Sequence, residues 1–476
     1  MKRIFVDCSF LVQHPHIRTG IQRVVRRLVE EIPRQLEGRS IQMILVRLDT
    51  GRVVVVHPES LRLKEFHNRW FAKFITSETC QLVLRASKVY LWGVANALLN
   101  LALMILPTHR SRQLLLSGLR KSRSVFRSIS RMFSLTGGIN PTQHPVVEPA
   151  DLIFNSDDCL LMLDASWHIS ADTAIQKFKR AQAKVVYVVY DLIPILHPEF
   201  FEHRFALTFK NWMYNTSRYA DGYLCISNAV KNDLGRYMQS HFQNRANTFT
   251  YGSFPLGCDF GISASQRAYP VESGVVPPSI AVLFRSAPTF LMVSTIEPRK
   301  NHTMVLDAFE KLWSLGHEVN LIVLGKVGWN VQGLMLRINC HPQLGKHLFV
   351  VHDASDELLK YCYASSTALV FASHMEGFGL PIVEALAHGL PVIASDIPCH
   401  REVGGDLITY FDLSDGQSLV SGLIDLKTQS EIIKTSLRAK VAGAGVVVPW
   451  SESAKRALAF CDTVMESKAC GQTTSQ

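Results

Sequence analysis

Eleven residues, His374–Glu384 (HMEGFGLPIVE), set the tightest limits on how this chain folds. Two carboxylates, Glu376 and Glu384, stand eight positions apart, with Gly377, Gly379 and Pro381 between them. Pro381 suits the first turn of a helix, where a backbone N–H has no helical partner to lose. The glycines let the backbone come close to a ligand without a Cβ in the way. A helix that begins here aims the N–H groups around Gly379 and Leu380, and the positive end of its dipole, at the space before it, which suits a phosphate. Glu384 then sits about two turns in. The apolar run TALVFAS (367–373) before the motif and PVIASD (391–396) after it read as consecutive strands. The motif therefore lies at the C-terminal end of a parallel strand, where open α/β sheets bind ligands.

The chain has 476 residues, 47% hydrophobic and 19% charged, enough for two or three domains with large cores. Its start, MKRIFVDCSF, reads as a first strand rather than a secretory signal. Ten cysteines show no C-x-x-C or zinc-ligand spacing, so they are expected to be reduced thiols, mostly buried. No Asp-x-Asp motif of metal-ligand character appears in the right context, and no metal and no cofactor are expected. The net charge of +10 is local: residues 79–147 contain no Asp or Glu and nine Lys or Arg. A nucleic-acid binder is expected to carry its basic residues on folded faces instead. Within this block, residues 89–106 hold no charge, and residues 111–133 pattern as a helix with Leu115, Leu119, Phe126, Ile129 and Phe133 on one side and Arg120, Lys121, Arg123, Arg127 and Arg131 on the other. That combination reads as attachment to an anionic membrane surface, in plane or re-entrant, and otherwise as a packed helical insertion.

In order, RIFVDCS (3–9) is a strand and TGIQRVVRRLVEEI (19–32) a helix, with Thr19 as its cap and Gly20 at its mouth. Ile21, Val24, Val25, Leu28, Val29 and Ile32 form its apolar face, while Arg18, Gln22, Arg23 and Arg26 face away or line the approach. Strands follow at 41–48, 53–56, 158–167 and 184–191. The last of these ends at Asp191, placed to reach a cleft or to cap the strand end. His197 and Glu199 share its loop. A further strand (221–228), with Ser227 or Asn228 capping the next helix, leads to 249–260 and a Pro- and Ser-bearing boundary at 263–279. Strand–helix alternation resumes at TFLMVSTIEPRKNH (289–302), where Arg299 and Lys300 sit in a strand-to-helix loop. His352 and Asp353 stand at a later strand end, and PWSESAKRALAFCDTVM (449–465) reads as a C-terminal helix.

The segments EGFGLPIVEA, HGLPVIASD and EPRKNH together resemble the donor-site signature of glycosyltransferase family 4, the retaining nucleotide-sugar transferases of the GT-B fold. FVDCS…TGIQRVVR is similar to the start of bacterial mannosyl- and rhamnosyltransferases that build O-antigen chains. The resemblance implies an α/β chain with two Rossmann-like domains facing a central cleft: residues 1–270 on the acceptor side with the insertion at 79–147, residues 280–448 for the donor, and a helix at 449–466 crossing back. It implies that Arg299 and Lys300, with Gly377, Phe378, Gly379 and Leu380, hold the donor diphosphate, and that Gly20 faces it across the cleft. Glu376 is then expected to orient the donor sugar, Glu384 to bind the ribose, and Asp191 to hold the acceptor or the transferring sugar. The family's usual Gly-Arg is replaced here by Ser294 and Thr295, and its His before Asp by Tyr190.

The expected reaction is transfer of a hexose or deoxyhexose, mannose or rhamnose in type and GDP-linked, to a lipid-linked glycan of a surface polysaccharide. The enzyme is expected in the cytoplasm on the inner face of the membrane, with other assembly enzymes as partners. Two other readings compete: a nucleotide-sugar 2-epimerase of the same fold, and a non-catalytic scaffold in which the donor residues have no work.

Overall fold

The computed structural model of the chain describes residues 2–15, 17, 19–57, 61, 152–169, 171–258 and 277–467. The basic and apolar stretch at 79–147 lies outside the described residues, as does most of the boundary at 263–279. The chain divides into two compact units, residues 1–53 with 151–476, and residues 54–150. The first contains two sheets.

The first sheet is built from β1 (Lys2–Asp7), β2 (Ile41–Asp49), β3 (Arg52–Val55), β4 (Asp158–Met162), β5 (Lys184–Val189), β6 (Gly222–Cys225) and β7 (Thr250–Ser253), in the order β3-β2-β1-β4-β5-β6-β7. Its pairs from β2 to β7 are all parallel. The connections include α1 (Ser9–Gln13), α2 (Gly20–Gln35), α3 (Asp172–Arg180), α4 (Ile193–Leu196), α5 (His203–Tyr219), α6 (Asn228–His241) and α7 (Gln243–Ala246). The second sheet runs β10-β9-β8-β11-β12-β13, again all parallel. Here α8 (Pro278–Ser286) precedes β8 (Thr289–Val293); α9 (His302–Ser314), β9 (Asn320–Leu324), α10 (Gln332–Asn339), β10 (Leu348–Val351) and α11 (Asp356–Ser365) follow. Then come β11 (Ala368–Phe371), α12 (Leu380–Ala387), β12 (Val392–Ser395), α13 (Pro398–Gly404), β13 (Thr409–Phe411), α14 (Gly416–Ala444) and α15 (Trp450–Glu466). Each sheet is thus a Rossmann-like half.

The central strands are apolar along most of their length because helices cover both faces. β4 (DCLLM), β9 (NLIVL), β11 (ALVF) and β12 (VIAS) are buried at every position. Both sheets reverse their winding beside the first strand of the half, between β1 and β4 and between β8 and β11. Those two points are where such sheets leave a crevice for ligands.

Local chemistry departs from the sequence reading in several places. The strand read at 158–167 ends at Met162, ahead of a 3-10 turn at Ser166–His168, and the start of the chain differs at two points. β1 stops at Asp7, not residue 9, because the Asp7 carboxylate accepts from the Ser9 N–H at 3.0 Å and from its hydroxyl, and this turn starts α1 directly. Thr19 occupies the N-cap position of α2 but its hydroxyl meets the Gln22 side chain instead of a backbone N–H. Ser227 does cap α6, accepting from the Val230 N–H at 3.1 Å.

Helix α15 leaves the second half and lies against the first sheet. A Cβ on Gly252 of β7 would stand 2.4 Å from the Phe460 ring, so the glycine makes room for the helix. Arg39 donates to Asp462 at 2.5 Å, and Ser453 to the Pro255 carbonyl at 2.8 Å.

Candidate active site

Two loops meet at the switch point of the second sheet. From β8 the chain passes Glu297 and a single 3-10 turn, Pro298–Lys300, before Asn301 takes a left-handed conformation (φ 56°) at the start of α9. From β11 it passes Ser373 to Gly379, where φ is +98°, into α12. That angle is the reason for glycine at 379: a Cβ there would find space, with Ile382 Cδ1 the nearest atom at 3.5 Å, but not a relaxed backbone.

Between the loops lies a buried charge cluster. Glu376 accepts from Arg299 Nη1 at 2.9 Å, from Ser373 Oγ at 2.7 Å and from Lys300 Nζ. Arg299 also donates to Glu297 at 2.7 Å and to the Met375 carbonyl at 2.7 Å. Lys300 lies over the Phe371 ring, 5.3 Å from its centre. Burial by itself raises the Glu376 carboxyl, but the Arg299 and Lys300 charges outweigh it and hold Glu376 below the usual carboxylate range. Burial acts against the Arg299 cation too, and Glu376, Glu297 and Asp191 together keep it raised. Lys300 is lowered by burial and by its neighbour Arg299, with Glu376 resisting. The result is a dense, preorganised pair of cations at the mouth of α12.

Glu384, further along α12, is buried. Its Oε2 accepts from the Tyr363 hydroxyl at 2.7 Å, and its Oε1 from Arg23 of α2 in the facing half. Ser373 and Tyr363 are not singled out by the sequence as parts of a site; Arg23 reads there only as facing away or lining the approach, and Glu297 only as part of EPRKNH.

The facing half closes over this region. The hydroxyl of Ser227 donates to the Gly377 carbonyl at 2.7 Å while it caps α6. Glu402 of α13 accepts from the Asn228 and Ala229 N–H groups, both at 2.7 Å, so one half's carboxylate neutralises the other's helix N-terminus. Trp329 donates to the Phe200 carbonyl at 2.7 Å, and Phe200 stacks on His374 at 5.5 Å. Gly377 needs no Cβ for a different reason than the one expected. The backbone that approaches it is the protein's own: a Cβ would stand 2.1 Å from the Tyr190 carbonyl oxygen.

The remaining expected residues are placed as follows. Phe378 is buried, and its carbonyl accepts from the Cys399 thiol at 2.9 Å. Leu380 opens α12. Gly20 is exposed at the first turn of α2, one turn before Arg23. Asp191 accepts from the Ile193 N–H at 3.1 Å, the strand-end cap arrangement. Burial raises its carboxyl, and the Arg299 charge is the largest opposing influence, which puts Asp191 within the field of the cluster. His197 and Glu199 pair with each other at 3.0 Å, away from the cluster's hydrogen bonds. His352 and Asp353 are exposed. Among the described residues no three His, Cys, Asp or Glu side chains are grouped to hold a metal ion, and no helix is long and apolar enough to cross a membrane.

A second carboxylate pair sits at the first sheet's switch point. Asp7 ends β1 and Asp164 follows β4, both buried. Asp164 accepts from the Leu11 N–H at 2.6 Å and the Ala165 N–H at 2.8 Å, while Asp7 Oδ2 has no partner among the described residues. Burial, then the Asp164 charge, push Asp7 up to about 7. A carboxyl raised on folding contributes stability that is fully present below its unfolded pKa and lost as pH rises through the folded one. The wild-type protein should therefore lose stability as pH rises from about 5 to 8 through this coupled carboxyl pair. Asp7→Asn should be relatively more stable as pH rises across that window. Urea unfolding of both proteins at each pH checks it; a pH-independent difference would remove Asp7 from the account.

Comparison with known proteins bears on the fold and on the family of the second half. Residues 281–441 match the family model described as Glycosyl transferases group 1. A serotype-specific mannosyltransferase, WbdA, of Escherichia coli is 37% identical over 275 residues, covering 57% of this chain and 33% of that protein. An O-antigen chain mannosyltransferase B of the same species is 33% identical over 135 residues, 28% of this chain and 35% of its own length. The chain thus spans about a third of the length of these curated relatives. Among solved structures, a sucrose-phosphate synthase from Thermosynechococcus elongatus superposes with a TM-score of 0.56 at 13% identity, covering 98% of this chain and all of that one. An Anabaena protein, HepE, solved with UDP and glucose, gives 0.55 at 15% identity over 97% of this chain and all of its own. At such identities the likeness speaks for the fold alone. Residues 281–441 are a glycosyl transferases group 1 domain, and the chain carrying it has the GT-B fold of two Rossmann-like halves.

Proposed function

We propose that the protein is a retaining glycosyltransferase that moves a mannose- or rhamnose-type sugar from a nucleotide diphosphate donor, GDP-linked, to a lipid-linked glycan during synthesis of a surface polysaccharide. One observation carries the reading. Arg299, Lys300 and Glu376 form a single buried cluster at the switch point, at the mouth of the helix that bears Glu384. The mannosyltransferases that resemble the chain support the sugar and the pathway class.

In this reading Arg299, Lys300 and the N–H groups at the start of α12 bind the donor diphosphate. Their charge offsets the negative charge that grows on the leaving group, the largest electrostatic demand of the reaction. Two protein cations meet that demand without a metal or cofactor. Glu376 orients the sugar hydroxyls, Glu384 takes the ribose, and Asp191 holds the acceptor or the sugar in transit. The anomeric C–O bond to the diphosphate breaks as the acceptor oxygen bonds to the same face. The acceptor's proton passes to the departing phosphate oxygen, and nucleoside diphosphate leaves. The enzyme works at the cytoplasmic membrane surface, held by residues 79–147 and alongside other assembly enzymes.

Purified protein incubated with GDP-, UDP- and dTDP-sugars tests this by mass spectrometry. Slow release of free sugar and nucleoside diphosphate from a GDP-linked hexose is expected. Conversion of the donor to its C2 epimer would favour an epimerase. Neither turnover nor binding of any donor would overturn the reading in favour of a scaffold.

A further inference from the structure

On the reading that Glu384 receives the donor ribose, the ribose diol must reach its carboxylate oxygens, and the two oxygens are held very differently. Oε2 accepts from Tyr363, a fully buried residue whose ring stacks on His388 at 5.4 Å. That hydroxyl is fixed by the core and moves only if the core does. Oε1 accepts from Arg23, which arrives from α2 of the opposite half with its side chain 35% exposed. A long side chain at the edge of solvent can turn without moving the core. The Glu384 side chain itself is only 2% exposed, so a cation or an equivalent set of donors is needed to keep its charge there.

We propose that Arg23 and the donor ribose compete for Oε1 of Glu384, so that donor binding requires Arg23 to release the carboxylate it holds across the cleft. Arg23 is then a positioning residue of the donor site, contributed by the acceptor-side half. Two hydroxyls donating to Glu384 take over the stabilisation that the guanidinium gives, and the side chain freed from Oε1 turns toward the nucleotide. Donor binding therefore changes a contact between the two halves while the Tyr363 contact within the donor half stays in place. The pairing also sets a selectivity: a sugar nucleotide lacking the diol has nothing to offer Glu384 in exchange for Arg23.

The test uses GDP and UDP and their 2′,3′-dideoxy forms, with affinities measured by isothermal titration on the wild-type chain, Arg23→Ala and Arg23→Gln. The wild type should prefer the ribose form of the diphosphate it binds. Arg23→Ala should bind that form about tenfold more tightly than wild type, because the competing state has been removed, and Arg23→Gln should bind it more tightly by a smaller factor, because the competing contact has lost its charge. Their affinity for the dideoxy form should not change. Arg23→Gln keeps a donor for Oε1 without the charge, and carries the test if Arg23→Ala does not fold. Unchanged affinity, or equal weakening of both forms, would overturn the competition. A wild type that does not distinguish ribose from dideoxyribose would instead overturn the assignment of Glu384 itself, before any variant is made.

Discussion

Glu376→Gln should lower sugar transfer by about 10²–10³-fold, the scale of removing one preorganised group from a charged transition state. The substitution keeps the shape of the side chain and removes only its charge. Ser373 and one of the two cations still have an oxygen to meet, but Arg299 and Lys300 lose the carboxylate that balances them. Three consequences should appear together. Without nucleotide, the fold should lose about 3–5 kcal/mol, the range for breaking a buried pair by removing one partner. Binding of the nucleoside diphosphate should be unchanged or tighter, because its phosphates then face cations with less competition. Added diphosphate should restore much of the lost thermal stability, since a ligand that binds only the folded state stabilises it. The acid limb of the stability profile should shift as well. A carboxyl depressed on folding contributes stability above its unfolded pKa that is lost as pH falls through the folded one, so this contribution disappears only below about pH 4.5. It should be missing from the Gln variant. Turnover, titration calorimetry and thermal unfolding with and without diphosphate measure all of this. A variant that transfers sugar at the wild-type rate would take Glu376 out of the mechanism.

The second large effect is expected at Gly377. An added Cβ would lie 2.1 Å from the Tyr190 carbonyl oxygen and 3.3 Å from Ile226 Cδ1. The first collision is between backbones, so no rotamer relieves it. The two halves must separate by roughly an ångström, and displacements of that size cost about 10²-fold in rate. The Ser227–Gly377 bond and the Glu402 contact with α6 lie on the same seam and should weaken with it. Gly377→Ala should therefore keep both sheets folded, by circular dichroism, while X-ray scattering shows a larger radius of gyration and turnover falls about 10²-fold. Wild-type turnover in the alanine variant would show that the seam tolerates opening.

Most of the strands were legible because both sheets are buried on both faces. Runs such as VVYVV and TALVF cannot be half-exposed strands, and the glycine and proline punctuation separates them. Glu376, Glu384, Arg299 and Lys300 were legible as a motif and a loop, each at a strand end. Their pairing was not. Lys300 and Glu376 are 76 residues apart, and only the placement of β11 beside β8 brings them together. Arg23 was hidden for another reason. The apolar positions of α2 define its core-facing side, but periodicity leaves Arg18, Gln22, Arg23 and Arg26 alike as facing away or lining the approach, and does not pick out Arg23 as the one that reaches Glu384 across the cleft. Gly377 shows a related ambiguity, since a glycine that admits a ligand and one that admits the neighbouring backbone look alike in a sequence. Thr19 and the end of β1 were misread through local competition: a side-chain oxygen with two partners in reach chose the one that periodicity does not register.

Helix α15 has a consequence for synthesis. The first sheet is complete in strand content at β7, yet the helix that covers Gly222 and Gly252 is encoded roughly 200 residues later. At about 5–20 residues per second on the ribosome, that face waits some 10–40 s for its cover. Throughout that interval an apolar sheet surface stands open beside a second half that is still emerging. A nascent chain of this protein should therefore depend on chaperones more than its strongly apolar strands suggest, and it should stop depending on them when residues 450–466 dock.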